Sequence, residues 1–409
     1  MTTSSGSDRL HGLDAVRGYA LLLGIVFHAT ASFLPGPQIW PVVDTHRSLT
    51  LAGVFFVSHI FRMTSFFLIA GFFGHMMVEK RGVAAFIKDR AKRIALPLVV
   101  GWPILFAAII AATVYGAVVA TGHLPKPPAP SHNGPPLAFP LTHLWFLYTL
   151  LWLYAGTLAL RWAVLRLDGA GRLRARVDGV VATLVESPAA PLALALPVAL
   201  AFLATPQWHE WFGVAGPENS LIPNLPAAIE YSVAFGFGWL LNRQPGLLGV
   251  MTRRWALNLT LSVALTVLCM TMVGVMPVVE PARPGLKHIA YAGAYALSMW
   301  TWTFAAIGMA LRFLSGHSPA RRYIADSSYW LYLIHLPLVI ALQAMVSQLA
   351  WPWEVKITVV LAVAFPLMFA SYQLMVRHSF IGAILNGRRA PRPAKARPAI
   401  SIGHTEAAE

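Results

Sequence analysis

An aspartate, an arginine and a histidine share one apolar stretch near the start of the chain, LDAVRGYALLLGIVFHA: Asp14, Arg17 and His28. On a helix Asp14 and Arg17 are three apart, so they share a face and can pair. His28 lies eleven residues beyond Arg17, ~16 Å further along the axis. A neutral imidazole there has what a general base needs; it could equally be a histidine that only hydrogen-bonds a neighbouring helix. Arg62, within HIFRMTSFFLIAGFFG, cannot lose its charge and must meet a carboxylate, carbonyls or water. That favours a structural or substrate-side role, with Glu230 as a possible partner for it or for a histidine. Arg90 and Arg93, in KDRAKRIALP, are one helical turn apart. They suit either a topology anchor or a clamp for a phosphorylated ligand. His143 and Trp145 open LTHLWFLYTL, and IADSSYWLYLIHLPL carries His335 and Pro337 after Asp326 or Ser327, candidate N-caps. No HExxH, phosphate-cradling glycine loop or nucleophile elbow is present, and the histidine spacings predict no metal site.

The elements that must position these groups are apolar runs of about 20 residues, the length that crosses a bilayer core. Ten are read: 14–34, 50–78, 95–120, 141–161, 189–205, 225–242, 256–276, 289–312, 328–349 and 355–376. Ionisable groups inside such spans are expensive and are functional candidates for that reason. Gly71 and Gly74 suit close helix packing. With the amino terminus in the cytoplasm, about 25 of the 31 Lys and Arg fall on that side. Arg47, Lys126, Arg283, Lys287 and Lys356 fall outside. An even number of spans, with both termini cytoplasmic, keeps this alternation. The outer loop 206–224 holds Trp208, Glu210, Trp211 and Glu218 but no Lys or Arg; its tryptophans suit an interfacial belt or stacking on sugar rings. Residues 122–140 are proline-rich and expected to be irregular.

Composition agrees with a membrane domain. Of 409 residues 57% are hydrophobic and 11% charged, against roughly 25% charged in a soluble domain. The net charge of +15 is spread over short runs between apolar segments, which argues against nucleic-acid binding. The single Cys269 excludes an intrachain disulfide. No cleavable signal is visible, so the first span is expected to be its own uncleaved signal. The expected organisation is a cytoplasmic segment 1–13, a membrane domain 14–378, and a basic, disordered tail 379–409. The fold class is therefore all-α, a polytopic membrane protein of about ten transmembrane helices.

Five elements carry a resemblance. They are LDAVRG leading to Arg17 and, ten residues between, His28; FRMTSFFLIAGFF; the Arg90–Arg93 pair before Leu96 and Pro97; HLWFL; and SSYWLYLIHLP. In this order they resemble the acyltransferase 3 family of bacterial membrane O-acyltransferases, over about residues 9–385. The wording is most similar to the glucan biosynthesis protein C branch, which places succinyl groups on periplasmic glucans. Ala70 departs from the family, where many members carry serine, so no hydroxyl is available at that position. The extracytoplasmic hydrolase-like domain of some members is not seen, which implies that the membrane domain or a separate protein completes the transfer.

The resemblance implies a bacterial inner-membrane enzyme that moves an acetyl or succinyl group from cytoplasmic acyl-coenzyme A to a periplasmic or surface carbohydrate. His28 is the implied catalytic base, with Asp14 the second catalytic candidate. Arg17, Arg90 and Arg93 would bind the coenzyme A phosphates. Arg62, His143, Trp145, Glu230 and His335 would be acceptor-side or structural polar groups. Acyl-coenzyme A is a donor substrate and no cofactor is permanently bound. Partners would be the bilayer and glucan-synthesis proteins, not nucleic acid. Two other functions fit the residues: a secondary transporter of an organic anion using Arg62, Arg17 and a histidine relay, and a catalytically inactive scaffold.

Overall fold

The computed structural model describes residues 6–126 and 137–387, with side chains from His11 onward. Among the described residues the regular structure is helical, with loops between the helices and only an isolated β-bridge between Ala138 and Ser220. The helices in chain order are α1 (Gly6–Thr30), α2 (Leu49–Arg90), α3 (Leu96–Thr121), α4 (Trp145–Leu167), α5 (Arg172–Glu186), α6 (Ala190–Leu203) and α7 (Leu225–Arg243). There follow α8 (Leu248–Arg253), α9 (Trp255–Val273), α10 (Leu286–Phe313), α11 (Pro319–Ser347), α12 (Trp353–Ser371) and α13 (Phe380–Leu385).

Among the described residues seven stretches are long and apolar enough to cross a membrane, or eight if α5 and α6 make one bent span. One is the 73-residue run Leu49–Thr121, about 110 Å if straight, far more than one ~30 Å crossing needs. Gly82 breaks it, at φ 79° and ψ 166°, where a residue with a Cβ is strained. The fifth expected span is the 14-residue α6. It is too short to cross alone and is joined to α5 at a bend of 106°.

Helix α1 lies within the bundle, against α2, α10 and α11. The closest crossing is between α2 and α7. A Cβ on Gly71 would sit 2.0 Å from the Phe235 carbonyl oxygen, and one on Gly238 would sit 1.9 Å from that of Leu68. The two backbones therefore touch, as small residues permit in membranes. Gly74 meets only ordinary contacts at 3.4 Å and beyond. Alanine at Gly71 gains about 1 kcal/mol of helix propensity but must push α7 away, an overpacking cost of about 1–3 kcal/mol. Gly71→Leu should abolish the folded, detergent-extractable protein, and Gly71→Ala should lower its melting temperature. An unchanged melting temperature for both variants would contradict the crossing.

Several expectations need correction. Asp326 and Ser327 are not N-caps. Helix α11 starts nine residues before the expected span, capped by Ser318, whose hydroxyl accepts from the Arg321 amide at 3.4 Å. Asp326 lies inside the helix and pairs with Arg322 at 3.2 Å. Trp208 and Trp211 form neither a belt nor an open sugar platform, because both are buried. The Trp208 ring stacks on Phe202 at 4.0 Å, and Trp211 packs against Phe55 and Phe56 of α2. Lys356 does not lie on an outer loop surface. It is fully buried at the start of α12, its Nζ 2.7 Å from Asp44 Oδ1. Residues 380–385, expected in a disordered tail, form α13. It packs back on the bundle, and its Leu385 carbonyl accepts from Arg93 Nε at 3.0 Å. The rest of that tail, 388–409, and the proline-rich stretch 127–136 lie outside the described residues.

Candidate functional site

His28 occupies the last turn of α1, where the helix tightens into the 3-10 turn Ala31–Phe33. The final carbonyls of a helix lack intrahelical donors. Gln343 of α11 supplies them, its Nε2 donating to the carbonyls of both His28 and Ala29 at 3.0 Å. The Gln343 Oε1 accepts from Trp40 Nε1 at 2.8 Å. Trp40 in turn stacks its ring on the His28 imidazole, at 5.5 Å and 23°. Backbone and ring of His28 are thus fixed by the same pair of side chains. The residue remains half-exposed, and its Nδ1 is buried without a hydrogen-bond partner among the described residues. It is not sealed among aliphatic groups: its ring neighbours are Phe27, Trp40 and His335.

His335 and His143 complete a row of three imidazoles. Centroids are 5.1 Å apart between His28 and His335, and 5.3 Å between His335 and His143. Pro337 explains the placement of His143. A proline inside a helix has no N–H and leaves the carbonyl four residues earlier unpaired. That carbonyl belongs to Leu333, and His143 Nε2 donates to it at 3.0 Å. His335 Nδ1 donates to the Tyr332 carbonyl at 2.7 Å. Its other ring nitrogen is thereby the lone-pair one.

Below the row, Arg62 of α2 lies with its Cζ 4.1 Å over the Phe27 ring. Gly24, one turn before His28, faces it: a Cβ there would make an ordinary contact, 3.4 Å from Arg62 Nη1. Arg62 is only 8% exposed, and its Nη1 has no partner among the described residues. The expected partner Glu230 does not serve. It is fully buried, neither carboxylate oxygen has a hydrogen-bond partner by distance and angle among the described residues, and the polar group that acts on it is the Thr64 hydroxyl. Arg62 instead lies within electrostatic reach of Tyr231 and Glu218. Glu218 belongs to the loop over this end of the bundle, where Gly216 fits against the Trp145 ring. The Glu218 residue is exposed, yet surrounding protein desolvates its carboxyl and pushes it up to about 7, against the pull of Arg62. Trp145 stacks on Tyr231 at 5.4 Å.

The other end of α1 is basic. Arg17 pairs with Asp14 at 3.3 Å and lies near enough to Arg93 for their charges to interact. Arg93 and Arg90 both pair with Asp89, at 3.7 and 3.1 Å, so these three arginines do converge. A small cleft of about 20 Å³ is lined by His11, Asp14, His317, Arg321 and Arg322; it touches Arg17 through the paired Asp14, and Arg90 and Arg93 do not line it. Asp14 and His28 are not brought together. They are fourteen positions apart on one unbroken helix, about 21 Å, and cannot act on the same atom.

A family model for an acyltransferase domain matches residues 10–372. The chain belongs to the acyltransferase 3 family. Its acyltransferase domain therefore takes in α1 to α12, with His28, Arg62 and the basic cleft all inside. Over 99 residues it is 33% identical to glucans biosynthesis protein C of Shigella dysenteriae serotype 1, which is 24% of this chain and 25% of that protein. The protein of the same name in Escherichia coli strain SMS-3-5 matches equally, and that of strain K12 is 32% identical over the same length. The chain thus spans about a quarter of these curated relatives. No solved structure matches it.

The acyltransferase domain also holds site residues that the sequence reading passed over. Gln343 is eight positions after His335, two helical turns along the same face, and that spacing was available as a signal. His59 sits three before Arg62 and packs 5.5 Å from Phe27, again at helical spacing. Trp40 and Glu218 lie in loops, where no periodicity marks them.

Proposed function

We propose that this protein transfers an acyl group, acetyl or succinyl, from cytoplasmic acyl-coenzyme A to a hydroxyl of a periplasmic or cell-surface glucan. The observation that carries this reading is the half-exposed His28, held by Trp40 and Gln343, on the same helix whose other end bears Arg17 beside a basic cleft. The reading has ten crossings of the bacterial inner membrane and both termini in the cytoplasm, which puts the arginines inside and the histidine row toward the periplasm. Guanidinium groups of Arg17, Arg90 and Arg93 match the phosphates of coenzyme A. The acyl thioester then reaches up the bundle to His28. The imidazole takes the proton of the incoming hydroxyl as its oxygen attacks the thioester carbon. Collapse breaks the carbon–sulfur bond and the departing thiolate recovers that proton. The curated relatives named for glucan biosynthesis support a glucan acceptor.

Purified protein given acetyl- or succinyl-coenzyme A and a periplasmic glucan should release free thiol, and the glucan should gain the mass of one acyl group. Replacing Arg17 or Arg93 by Ala should raise KM for the donor by about tenfold or more per lost phosphate contact, as charge-assisted bonds of about 1.5–3 kcal/mol imply. Vesicles that accumulate an organic anion while no thiol appears would instead support the transporter.

A further inference from the structure

We propose that Arg62 is a catalytic residue of this transfer: its guanidinium donates to the oxyanion that forms on the thioester carbonyl as the hydroxyl attacks. The assignment rests on the transferase reading above and adds a second reacting group to it.

Three observations carry it. The first is an unspent charge. Arg62 is 8% exposed, its Nη1 lacks a partner among the described residues, and it forms no ion pair among them; Glu230, the partner suggested by the sequence, has neither oxygen bonded to it. A buried cation usually sits in a hydrogen-bonded pair because the uncompensated charge is costly. One kept bare is free to be compensated by charge that develops only during reaction, and an interaction made only then lowers the barrier.

The second is position. Arg62 Nη1 faces Gly24, one helical turn, ~6 Å, before His28 on α1. Phe27, whose ring underlies the guanidinium at 4.1 Å, also packs its edge against the His28 ring, at 4.9 Å and 75°. A carbonyl carbon placed between the two side chains would present its incoming hydroxyl to the imidazole and its oxygen to the guanidinium. That is the arrangement acyl transfer requires of a base and an oxyanion donor.

The third is the surroundings. The neighbours of Arg62 are Phe27, Gly24, Tyr231, His59 and, through its charge, Glu218. Only Glu218 is acidic; desolvation holds its carboxyl at about 7, so at neutral pH it carries on the order of half a charge, and no ion pair among the described residues joins it to Arg62. The phenyl face beneath it excludes water from one side.

The electrons balance as follows. The hydroxyl oxygen forms the new C–O bond while its proton passes to His28. The carbonyl π pair moves onto oxygen, held by Arg62. The pair then returns, the C–S bond breaks, and the coenzyme A thiolate takes the proton from His28.

The test compares Arg62→Met, Arg62→Lys and His28→Ala with the parent, using succinyl- and acetyl-coenzyme A with glucan. Thiol release gives kcat and KM, and thermal unfolding in detergent reports folding. The expected result for Arg62→Met is a kcat lower by ~10²–10³, a donor KM within a few-fold of the parent, and a melting temperature at or above the parental one, because no ion pair is lost. Arg62→Lys should keep the fold but not the rate, since a single ammonium cannot reproduce the reach of the guanidinium. A raised KM with kcat retained would make Arg62 a ground-state anion site and overturn the assignment. So would a parental kcat in Arg62→Lys, or a collapse of Arg62→Met that Lys restores together with full rate. If His28→Ala turns over at the parental rate, the transferase reading itself falls; if His28→Ala is inactive and Arg62→Lys is parental, only the role of Arg62 falls.

Discussion

His28→Ala is expected to lower thiol release by ~10²–10⁴, the usual contribution of a positioned general acid–base group, with donor KM nearly unchanged. The kcat loss follows from chemistry, since no other neutral imidazole of the row is both half-exposed and beside Arg62. His335 and His143 are buried, and each spends a ring nitrogen on a backbone carbonyl. KM should hold because the arginines proposed to bind the donor phosphates gather at the far end of α1. Stability should hold too. The His28 ring makes no hydrogen bond among the described residues, and Gln343 binds its backbone carbonyl, which alanine retains. The informative measurement is therefore kcat and melting temperature on one preparation. A well-folded His28→Ala protein with parental kcat would remove the base from the mechanism.

Lys356→Met should destabilise the fold by about 3–5 kcal/mol, the cost of leaving one partner of a buried ion pair alone. Lys356 and Asp44 are 0% and 1% exposed at 2.7 Å. The ammonium also donates to the Ser347 carbonyl at 3.0 Å and the Thr45 hydroxyl at 3.2 Å. Three pieces of chain thus meet at one nitrogen: the end of α11, the start of α12 and the loop after α1. The Asp44 amide donates to the Ser32 carbonyl at 2.9 Å, which closes that loop on itself. Trp40 rides on the same loop, so Lys356→Met should reduce kcat as well. The double variant Asp44→Asn with Lys356→Met removes both charges and should recover much of the melting temperature. A double variant no more stable than Lys356→Met would show that the pair is not coupled.

Much of the fold was legible because lipid leaves few options. Each of the ten apolar runs coincides with a helix, since backbone groups in hydrocarbon must pair internally. What periodicity could not give was the number of crossings. Helix α6 is too short alone, and the break at Gly82 sits inside one continuous apolar and basic run. Within the site, Arg17, Arg90 and Arg93 were legible as neighbours because topology gathers basic residues on one side. That His28, His335 and His143 come together was not legible, because the neighbours of a helix leave no mark in its own sequence. Lys356 was misplaced because its partner Asp44 is 312 positions away and both stand in short polar gaps that read as loops. Glu230 was misread as a counter-ion because a sequence shows that an acid is buried, not which way its helix faces. Trp208 and Trp211 have a composition fit for an interface, and only the folding-in of their loop buries them.

The uninterrupted run of α1 from Gly6 to Thr30 has a consequence for which donors can be used. A straight helix is a gauge of fixed length. The separation of Arg17 from His28, ~16 Å along the axis, cannot be altered by either end independently. Under the donor reading, a molecule whose charged head and reactive carbon are joined by a long thin arm can touch both marks at once. A short acyl phosphate, with the same reactive carbon but its phosphate bonded directly to it, can reach only one.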